Sequence, residues 1–364
     1  MFDFDLKQRK EKKTDILIIS RRDDVSEYIK NNIETYSTDT CDILSESIFD
    51  LSPIDNISKY SRVIIDIESE SSFAKIIERV KKTIPLKLTK FCIGDTDSIV
   101  LYNDLIKFDI KYLYVKERDY SIYKKLQSSS KIERDHNNLS QTRIAIIGCK
   151  GGSGTSTISF DVFLKLQKLS SVPVLIRQKQ GGGEDLDIIS NNSQLLSGEL
   201  YSTHNGCAMK MRSSAKDFSI SEDESFFNLV IDDYSLPSLE LFSLREALLN
   251  YNLIIIITND NISSIRKAKE VIELITQINV DNSERKVSYF TIFNSFKQSG
   301  KNNVDVDYVD ELLHGEELFV LDMKKKTDYE KRIKMVAMKI LGERTDDETH
   351  LSNIKYFFRS LLRR

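Results

Sequence analysis

The sequence KGGSGTST occupies Lys150 to Thr157 and directly follows the apolar run from Ile144 to Ile147. An apolar run, a glycine-rich turn and a periodic apolar segment predict a strand, a loop and a helix in that order. In such a loop the backbone N–H groups point into one concavity, and the N-terminus of the helix adds partial positive charge. This stretch therefore predicts a binding site for phosphate groups.

The loop departs from the usual phosphate-binding pattern, G-x-x-x-x-G-K-[ST], at two positions. Gly154 occupies the second glycine position and Ser156 the hydroxyl position, but Gly148 lies one residue before the first glycine position and Thr155 stands where the lysine belongs. A lysine occurs earlier in the loop instead. The combination predicts a nucleotide pocket and a poor catalyst; a glycine-rich turn without a ligand is the alternative. The candidate nucleotide-binding residues of the loop are Lys150, Gly151, Gly152, Ser153, Gly154, Thr155, Ser156 and Thr157.

A second candidate element is the run FNLVIDD at 227–233, which ends in two aspartates. An aspartate at the end of a buried strand near a phosphate-binding loop commonly holds Mg²⁺, directly or through water. We assign this role to Asp232. The alternative is an ordinary turn or helix-capping aspartate.

Composition sets the class of protein. The chain has 364 residues, 40% hydrophobic and 30% charged, with a net charge of −3, which predicts a soluble globular protein of two domains without a specific nucleic-acid partner. No apolar run is long enough to span a membrane, and the charged N-terminus does not resemble an export signal. The four cysteines form no C-x-x-C pair, so we expect reduced thiols and a cytoplasmic location.

Strand and helix patterns alternate twice along the chain, which predicts an α/β fold with two doubly wound parallel-sheet domains. We place the first domain at 1–127, a polar linker at 128–141 and the second domain at 142–364. The strands predicted for the first domain are Ile16–Ile19, Cys41–Leu44, Val63–Ile67, Phe91–Ile93 and Tyr112–Val115. After the loop strand, those predicted for the second are Val172–Ile176, Leu229–Ile231, Leu253–Thr258 and Val287–Phe293.

The early lysine of KGG-x-G resembles the deviant Walker A signature of the ParA/MinD ATPases. The small residue in place of the second lysine is similar to the TadZ/CpaE branch, whose members join a receiver-like domain to a ParA/MinD-like domain. The resemblance covers 15–364 and is strongest at 144–160, 227–237 and 253–266. It implies a flavodoxin-like receiver domain followed by a P-loop NTPase domain.

The resemblance also implies roles for single residues and two cofactors, ATP and Mg²⁺. Lys150 would be the signature lysine that crosses a dimer interface to the partner's nucleotide. Ser156 would supply the hydroxyl to Mg²⁺, Asp232 would be the Walker B acid, and Asn294 would contact the adenine edge.

Two departures from the family pattern predict slow or absent hydrolysis. Thr155 removes the cation that bridges the phosphates, and Arg177-Gln178-Lys179 replaces the acidic D-x-D that orients the attacking water. Phosphoryl transfer depends on positioning and on charge stabilisation, so both losses slow it. One hypothesis is that Arg177 or Lys179 replaces the missing loop lysine; the alternative is that both are solvated loop charges.

The first domain carries an incomplete receiver pattern. Asp66 ends a predicted strand and resembles the phosphoacceptor, and Lys116 resembles the receiver lysine. The acidic pair expected after the first strand is replaced by Ser20-Arg21, and the hydroxyl residue expected after the fourth strand by Gly94. We predict a degenerate receiver used for docking or dimerisation, with Asp66 as a degenerate phosphoacceptor; a working phospho-switch is the alternative.

The C-terminus carries an apolar stripe flanked by cations. The stripe consists of Ile354, Phe357, Phe358, Leu361 and Leu362. A basic amphipathic helix of this kind can lie in a membrane surface. The alternative is the last helix of the fold, packed on the sheet.

The resemblance implies a homodimeric ATP-binding localisation and assembly factor for tad (Flp) pilus biogenesis, with weak or no hydrolysis. Its partners would be a pilus secretion ATPase or other assembly proteins, at the inner face of the membrane or the cell pole. Two alternatives stay open. One is an active ParA/MinD-type ATPase for spatial positioning, and the other is an atypical response regulator.

Overall fold

The computed structural model describes two compact units, Met1–Ser140 and Gln141–Arg364. Of the predicted linker, only Gln141 lies within the described residues. The described residues are 16–51, 53–54, 56–115, 141–179, 183–213, 220–235, 241–282, 286–295, 309, 313, 318–322 and 326–342.

The first unit is a five-stranded parallel sheet with the strand order β2-β1-β3-β4-β5, the order of flavodoxin-like folds. Its elements are β1 (Ile16–Ile19), α1 (Asp23–Tyr36), β2 (Cys41–Leu44), β3 (Arg62–Asp66), α2 (Phe73–Thr83), β4 (Thr89–Gly94), α3 (Ile99–Ile106) and β5 (Ile110–Tyr114).

Both faces of this sheet are buried in apolar clusters, and each strand contributes to both because its successive residues point to opposite sides. In β1, Ile16 and Ile18 pack with Ile29 of α1, whereas Leu17 and Ile19 pack with α2 and α3 on the other side. The four apolar residues of β1 thus serve two cores, as the continuous apolar run predicts.

The second unit has an eight-stranded sheet with the order β13-β12-β11-β6-β10-β7-β9-β8. Its strands are β6 (Thr142–Gly148), β7 (Val174–Lys179), β8 (Tyr201–Ser202), β9 (Ala208–Ser213), β10 (Leu229–Ser235), β11 (Leu253–Asn259), β12 (Ser288–Ser295) and β13 (Leu318–Asp322). Its helices are α4 (Thr155–Leu169), α5 (Leu186–Ile189), α6 (Leu241–Leu248), α7 (Ile262–Asp281) and α8 (Lys326–Leu341).

The strand before the glycine-rich loop lies in the middle of this sheet. β6 pairs with β10 on one side and β11 on the other, and all recorded pairings are parallel except that of β8 with β9. Ile144 and Ile146 face the core beneath α4 and α8, while Ala145 and Ile147 face the core beneath α6 and α7. The carboxyl ends of the central strands therefore meet at one edge, where open α/β sheets bind ligands.

Among the described residues, none of the helices could span a lipid bilayer. The amphipathic stripe predicted at 354–362 lies outside the described residues.

Candidate nucleotide-binding site

The glycine-rich loop joins β6 to α4 and takes a conformation that only glycine adopts readily. Gly152 and Gly154 have φ angles of 77° and 82°, in the left-handed region. A residue with a Cβ atom is strained there, which explains both glycines. Gly154 is also the residue immediately before α4.

The crest of the loop is open. Lys150, Gly151 and Gly152 are exposed, and a Cβ atom added at either glycine would meet nothing within 4 Å. The first N–H groups of any α-helix lack partners within the helix, and here they belong to the start of α4. The loop therefore offers free space beside a helix N-terminus, an arrangement suited to phosphate groups.

Thr155, which replaces the loop lysine, folds back onto the base of the loop. Its Oγ1 lies 2.8 Å from Ser153 Oγ. A Cβ atom at Gly148 would come within 2.1 Å of the same Oγ1, so this position requires glycine. Thr155 thus packs the interior of the loop but adds no positive charge.

Asn294, at the end of β12, supports the loop from below. Its Nδ2 donates to the Ser153 carbonyl at 2.9 Å, and its side chain is fully buried. The predicted contact of Asn294 with an adenine edge stays a prediction. The contact found is with the loop backbone.

The carboxylate of Asp233 contacts hydroxyl groups in the first turns of α4. Its Oδ1 accepts a hydrogen bond from Ser159 Oγ at 3.3 Å and its Oδ2 one from Gln178 Nε2 at 3.1 Å. Burial raises the pKa of Asp233 to about 6, against hydrogen bonds from Gln178 and Ser156 that lower it. The geometry therefore brings a buried carboxylate next to the hydroxyl at Ser156.

Gln178, at the position of the expected acidic motif, connects several groups of this site. Its Nε2 lies 3.3 Å from Ser156 Oγ and 2.9 Å from Asp185 Oδ1. Its Oε1 accepts the N–H of Leu186 at 3.0 Å, the first residue of α5. A neutral amide thus bridges the loop hydroxyl and two carboxylates.

Asp232, the predicted Mg²⁺ ligand, lies on the other face of the sheet. Arg177 donates to both of its oxygens, from Nε at 2.6 Å and from Nη2 at 2.8 Å, and Tyr251 Oη donates at 2.7 Å. The side chain of Asp232 is 0% exposed. Because neighbouring residues of a strand face opposite sides, the structure does not bring Asp232 and Ser156 together.

The ion pair of Arg177 with Asp232 belongs to a larger buried network. Arg177 Nη1 lies 2.8 Å from Glu224 Oε2, and Glu224 Oε1 lies 2.8 Å from Lys210 Nζ. Lys179 Nζ lies 3.9 Å from Asp232 Oδ2. Burial alone would raise the pKa of Asp232, but the hydrogen bonds and charge of Arg177 hold it below its ordinary value.

These contacts bear on the hypothesis that Arg177 or Lys179 replaces the loop lysine. Arg177 is 2% exposed and Lys179 1%, and both contact Asp232 on the face away from α4. Neither is a solvated loop charge, and neither lies at the loop. The position facing α4 between them belongs to Gln178.

Asp66, the degenerate phosphoacceptor, lies at the carboxyl edge of the first sheet. It is buried and accepts hydrogen bonds from Ser20 and Arg22. Arg22 also contacts Asp95, which follows β4. Lys116 lies outside the described residues.

Sequence reasoning missed Asp233 and Gln178, because the alternation along a strand shows which residues share a face but not which face lies beneath α4. Leu229 and Ile231 pack beneath α4, so a step of two along β10 leads to Asp233 on that face. The same step from Val174 and Ile176 in β7 leads to Gln178. The period of two therefore separates the residues that face the loop from those that face away.

Among the described residues, no group of three or more His, Cys, Asp and Glu side chains could hold a metal ion by itself. Mg²⁺ is usually held through one or two carboxylates together with substrate phosphates. Asp233 and Ser156 supply oxygen atoms of the kind that Mg²⁺ prefers. The residues present therefore fit a magnesium ion that arrives with a phosphate ligand.

No family model and no curated protein sequence matches this chain. Solved structures of the MinD/ParA type are similar to about half of it. The MinC:MinD cell division complex of Aquifex aeolicus is 19% identical, covers 56% of this chain and 97% of that chain, and has a TM-score of 0.43.

Two further structures give similar figures. The ParA family ATPase of Chlorobium tepidum TLS is 14% identical over 57% of this chain and 94% of that chain, with a TM-score of 0.36. MinD of Pyrococcus horikoshii OT3, complexed with Mg-ADP, is 13% identical over 55% of this chain and 96% of that chain, with a TM-score of 0.41. All three TM-scores are below 0.5.

Proposed function

We propose that the second unit binds ATP with Mg²⁺ at the loop 148–156. The observation that carries the proposal is an open loop crest at Gly151 and Gly152 together with the Asp233 carboxylate beside Ser156. Backbone N–H groups and the start of α4 would hold the phosphates. Asp233, rather than Asp232, and Ser156 would hold the Mg²⁺, which neutralises phosphate charge when bound.

Calorimetric titration with ATP and Mg²⁺ tests this proposal. Heat that fits one site per chain, and that Ser156→Ala reduces, supports it. The absence of heat with the wild-type chain contradicts it.

Weak or absent hydrolysis follows from two departures. Thr155 supplies no cation to the phosphates. Arg177 and Lys179 occupy the two acidic positions of the expected D-x-D and contact Asp232, and Gln178 between them presents only a neutral amide to Ser156. Loss of a single stabilising donor slows enzymes by about 10²–10³-fold in known cases. The nucleotide then acts as a ligand of one conformational or oligomeric state more than as a source of energy.

Lys150 would join two copies of the chain. Its place on the exposed crest of the loop leaves its side chain available to a second copy. Sedimentation with ATP and Mg²⁺ should show a dimer for the wild type and for the control Lys168→Ala, at the exposed end of α4. Lys150→Ala should stay monomeric while still binding nucleotide; if it dimerises as the wild type does, the role is rejected.

For the cellular role we follow the sequence resemblance. The chain would be a cytoplasmic localisation and assembly factor of the tad (Flp) pilus, contacting a pilus secretion ATPase at the inner face of the membrane or the cell pole. Co-purification of that ATPase with the tagged wild-type chain, and its loss with Lys150→Ala, would support this role. Recovery of no pilus component would count against it.

An active ATPase of the ParA/MinD type is the second candidate. One observation favours it: Asp185 Oδ1 lies 2.9 Å from Gln178 Nε2, so a carboxylate remains close to the loop. ATP turnover that Asp185→Asn abolishes, with Asp187→Asn as the control, would establish this candidate. ATP turnover that neither variant changes would show that Asp185 has no role in hydrolysis.

A further inference from the structure

At the carboxyl edge of the first sheet, one arginine joins the carboxylates that end two strands. Arg22 Nη2 lies 2.6 Å from Asp66 Oδ1, and Arg22 Nε lies 2.8 Å from Asp66 Oδ2. Arg22 Nη1 lies 2.6 Å from Asp95 Oδ2. A single guanidinium therefore contacts Asp66 at the end of β3 and Asp95 directly after β4.

The carboxylate of Asp66 has its hydrogen-bonding positions filled. Ser20 Oγ donates to Oδ2 at 2.7 Å, and the N–H of Glu68 donates to Oδ1 at 2.9 Å. With the two bonds from Arg22, each oxygen accepts twice, which is about the capacity of a carboxylate. Its side chain is also 0% exposed. An attack by Asp66 on a phosphoryl donor would first require Arg22 to leave.

The local sequence holds Arg22 in this place. The N–H of Arg22 donates to Ser20 Oγ at 3.0 Å, so Ser20 fixes both the arginine backbone and the Asp66 carboxylate. The neighbouring Arg21 does not share this role. It is exposed and pairs with Glu68 and Asp50.

We propose that Arg22 is a built-in cation that takes the place of a divalent metal ion between Asp66 and Asp95. Two carboxylates that meet at a sheet edge need a compensating cation, and a planar guanidinium supplies it through paired hydrogen bonds. Because this cation is part of the chain, the net charge of the group formed by Arg22, Asp66 and Asp95 does not depend on the concentration of metal ions. It is closed to phosphoryl transfer, and no phosphorylation step at Asp66 controls this unit.

Removal of the side chain tests the proposal, with the full-length chain in the absence of nucleotide. Bound Mn²⁺ is counted by electron paramagnetic resonance, and thermal unfolding is followed with and without Mn²⁺. Arg22→Ala should bind one more Mn²⁺ per chain than the wild type and unfold at a higher temperature when Mn²⁺ is added. The double variant Arg22→Ala/Asp66→Asn should lose this additional ion. Arg21→Ala is the matched control and should behave as the wild type.

Three outcomes would overturn the proposal. One is a folded Arg22→Ala chain that binds no additional Mn²⁺, and another is an Arg22→Ala chain that stays unfolded with and without Mn²⁺. The third concerns the wild type: incubation with acetyl phosphate and Mg²⁺ should leave its intact mass unchanged, and a phosphoryl adduct at Asp66 would show that Arg22 does not close the site.

Discussion

The carboxylates of Asp232 and Asp233 lie on opposite faces of the second sheet, although the two residues are consecutive in β10. Asp232 pairs across the strands with Arg177, and Asp233 with Gln178. On one face Asp232 accepts hydrogen bonds from a guanidinium; on the other Asp233 accepts one from an amide beside Ser156. One face thus holds a buried ion pair and the other holds the candidate magnesium ligand.

The ion pair predicts a clear stability effect. Arg177→Met should lower the free energy of unfolding by about 3–5 kcal/mol, because it leaves the Asp232 carboxylate buried beside fewer cations. The double variant Arg177→Met/Asp232→Leu should recover most of this loss, since well-packed apolar residues can replace a buried pair. Urea denaturation measures both. A double variant no more stable than Arg177→Met would contradict the account.

The raised pKa of Asp233 predicts a pH dependence of stability. Its pKa is about 6 in the fold and 3.8 ordinarily, so its contribution is full below pH 3.8 and is lost as the pH rises through 6. Relative to Asp233→Asn, the nucleotide-free wild type should lose about 1 kcal/mol of stability between pH 5 and pH 7, at about 1.4 kcal/mol per pKa unit.

Denaturant titrations at both pH values measure this difference. Asp232 does not affect this comparison, because its pKa in the fold is lowered below 3.8. Its contribution to stability is therefore constant between pH 5 and pH 7 and is lost only as the pH falls below 3.8. Equal pH dependence of the wild type and Asp233→Asn would mean that the pKa of Asp233 is not raised.

Restoring the loop cation should strengthen nucleotide binding. Thr155→Lys places a positive charge at the start of α4, where it can contact phosphate oxygens, and we expect about tenfold tighter binding of ATP with Mg²⁺, equal to about 1.4 kcal/mol. Thr157→Lys, two residues along the same helix, controls for added charge. If Thr155→Lys and Thr157→Lys bind ATP equally tightly, a cation at position 155 has no specific contact with the phosphates.

Much of the fold could be predicted from the sequence. The apolar run at 16–19 fixed the bounds of β1, because parallel strands buried on both faces lack polar positions. The bounds of β2 also match the prediction, although this edge strand contains Asp42 and is only partly buried. β7 was predicted to end at Ile176, yet it continues to Lys179. The charges of Arg177 and Lys179 are tolerated in the strand because they meet Asp232 from the next strand, a contact that the sequence does not show.

The site could be predicted only in part. The pattern located the loop and the run of aspartates, since both depend on local spacing. The choice between Asp232 and Asp233 depends on which face of β10 lies beneath α4, and so on packing between distant parts of the chain. The contact of Arg22 with Asp95 could not be predicted for the same reason, because the two residues are 73 positions apart in the sequence.

The most direct test of the account is titration calorimetry of three chains with ATP and Mg²⁺: the wild type, Asp233→Asn and Asp232→Asn. We predict one site per chain for the wild type, at least tenfold weaker binding for Asp233→Asn, and wild-type affinity for folded Asp232→Asn at a cost in stability. Equal affinity of the wild type and Asp233→Asn, or a loss of binding confined to Asp232→Asn, would contradict the assignment of the loop-facing carboxylate as the magnesium ligand.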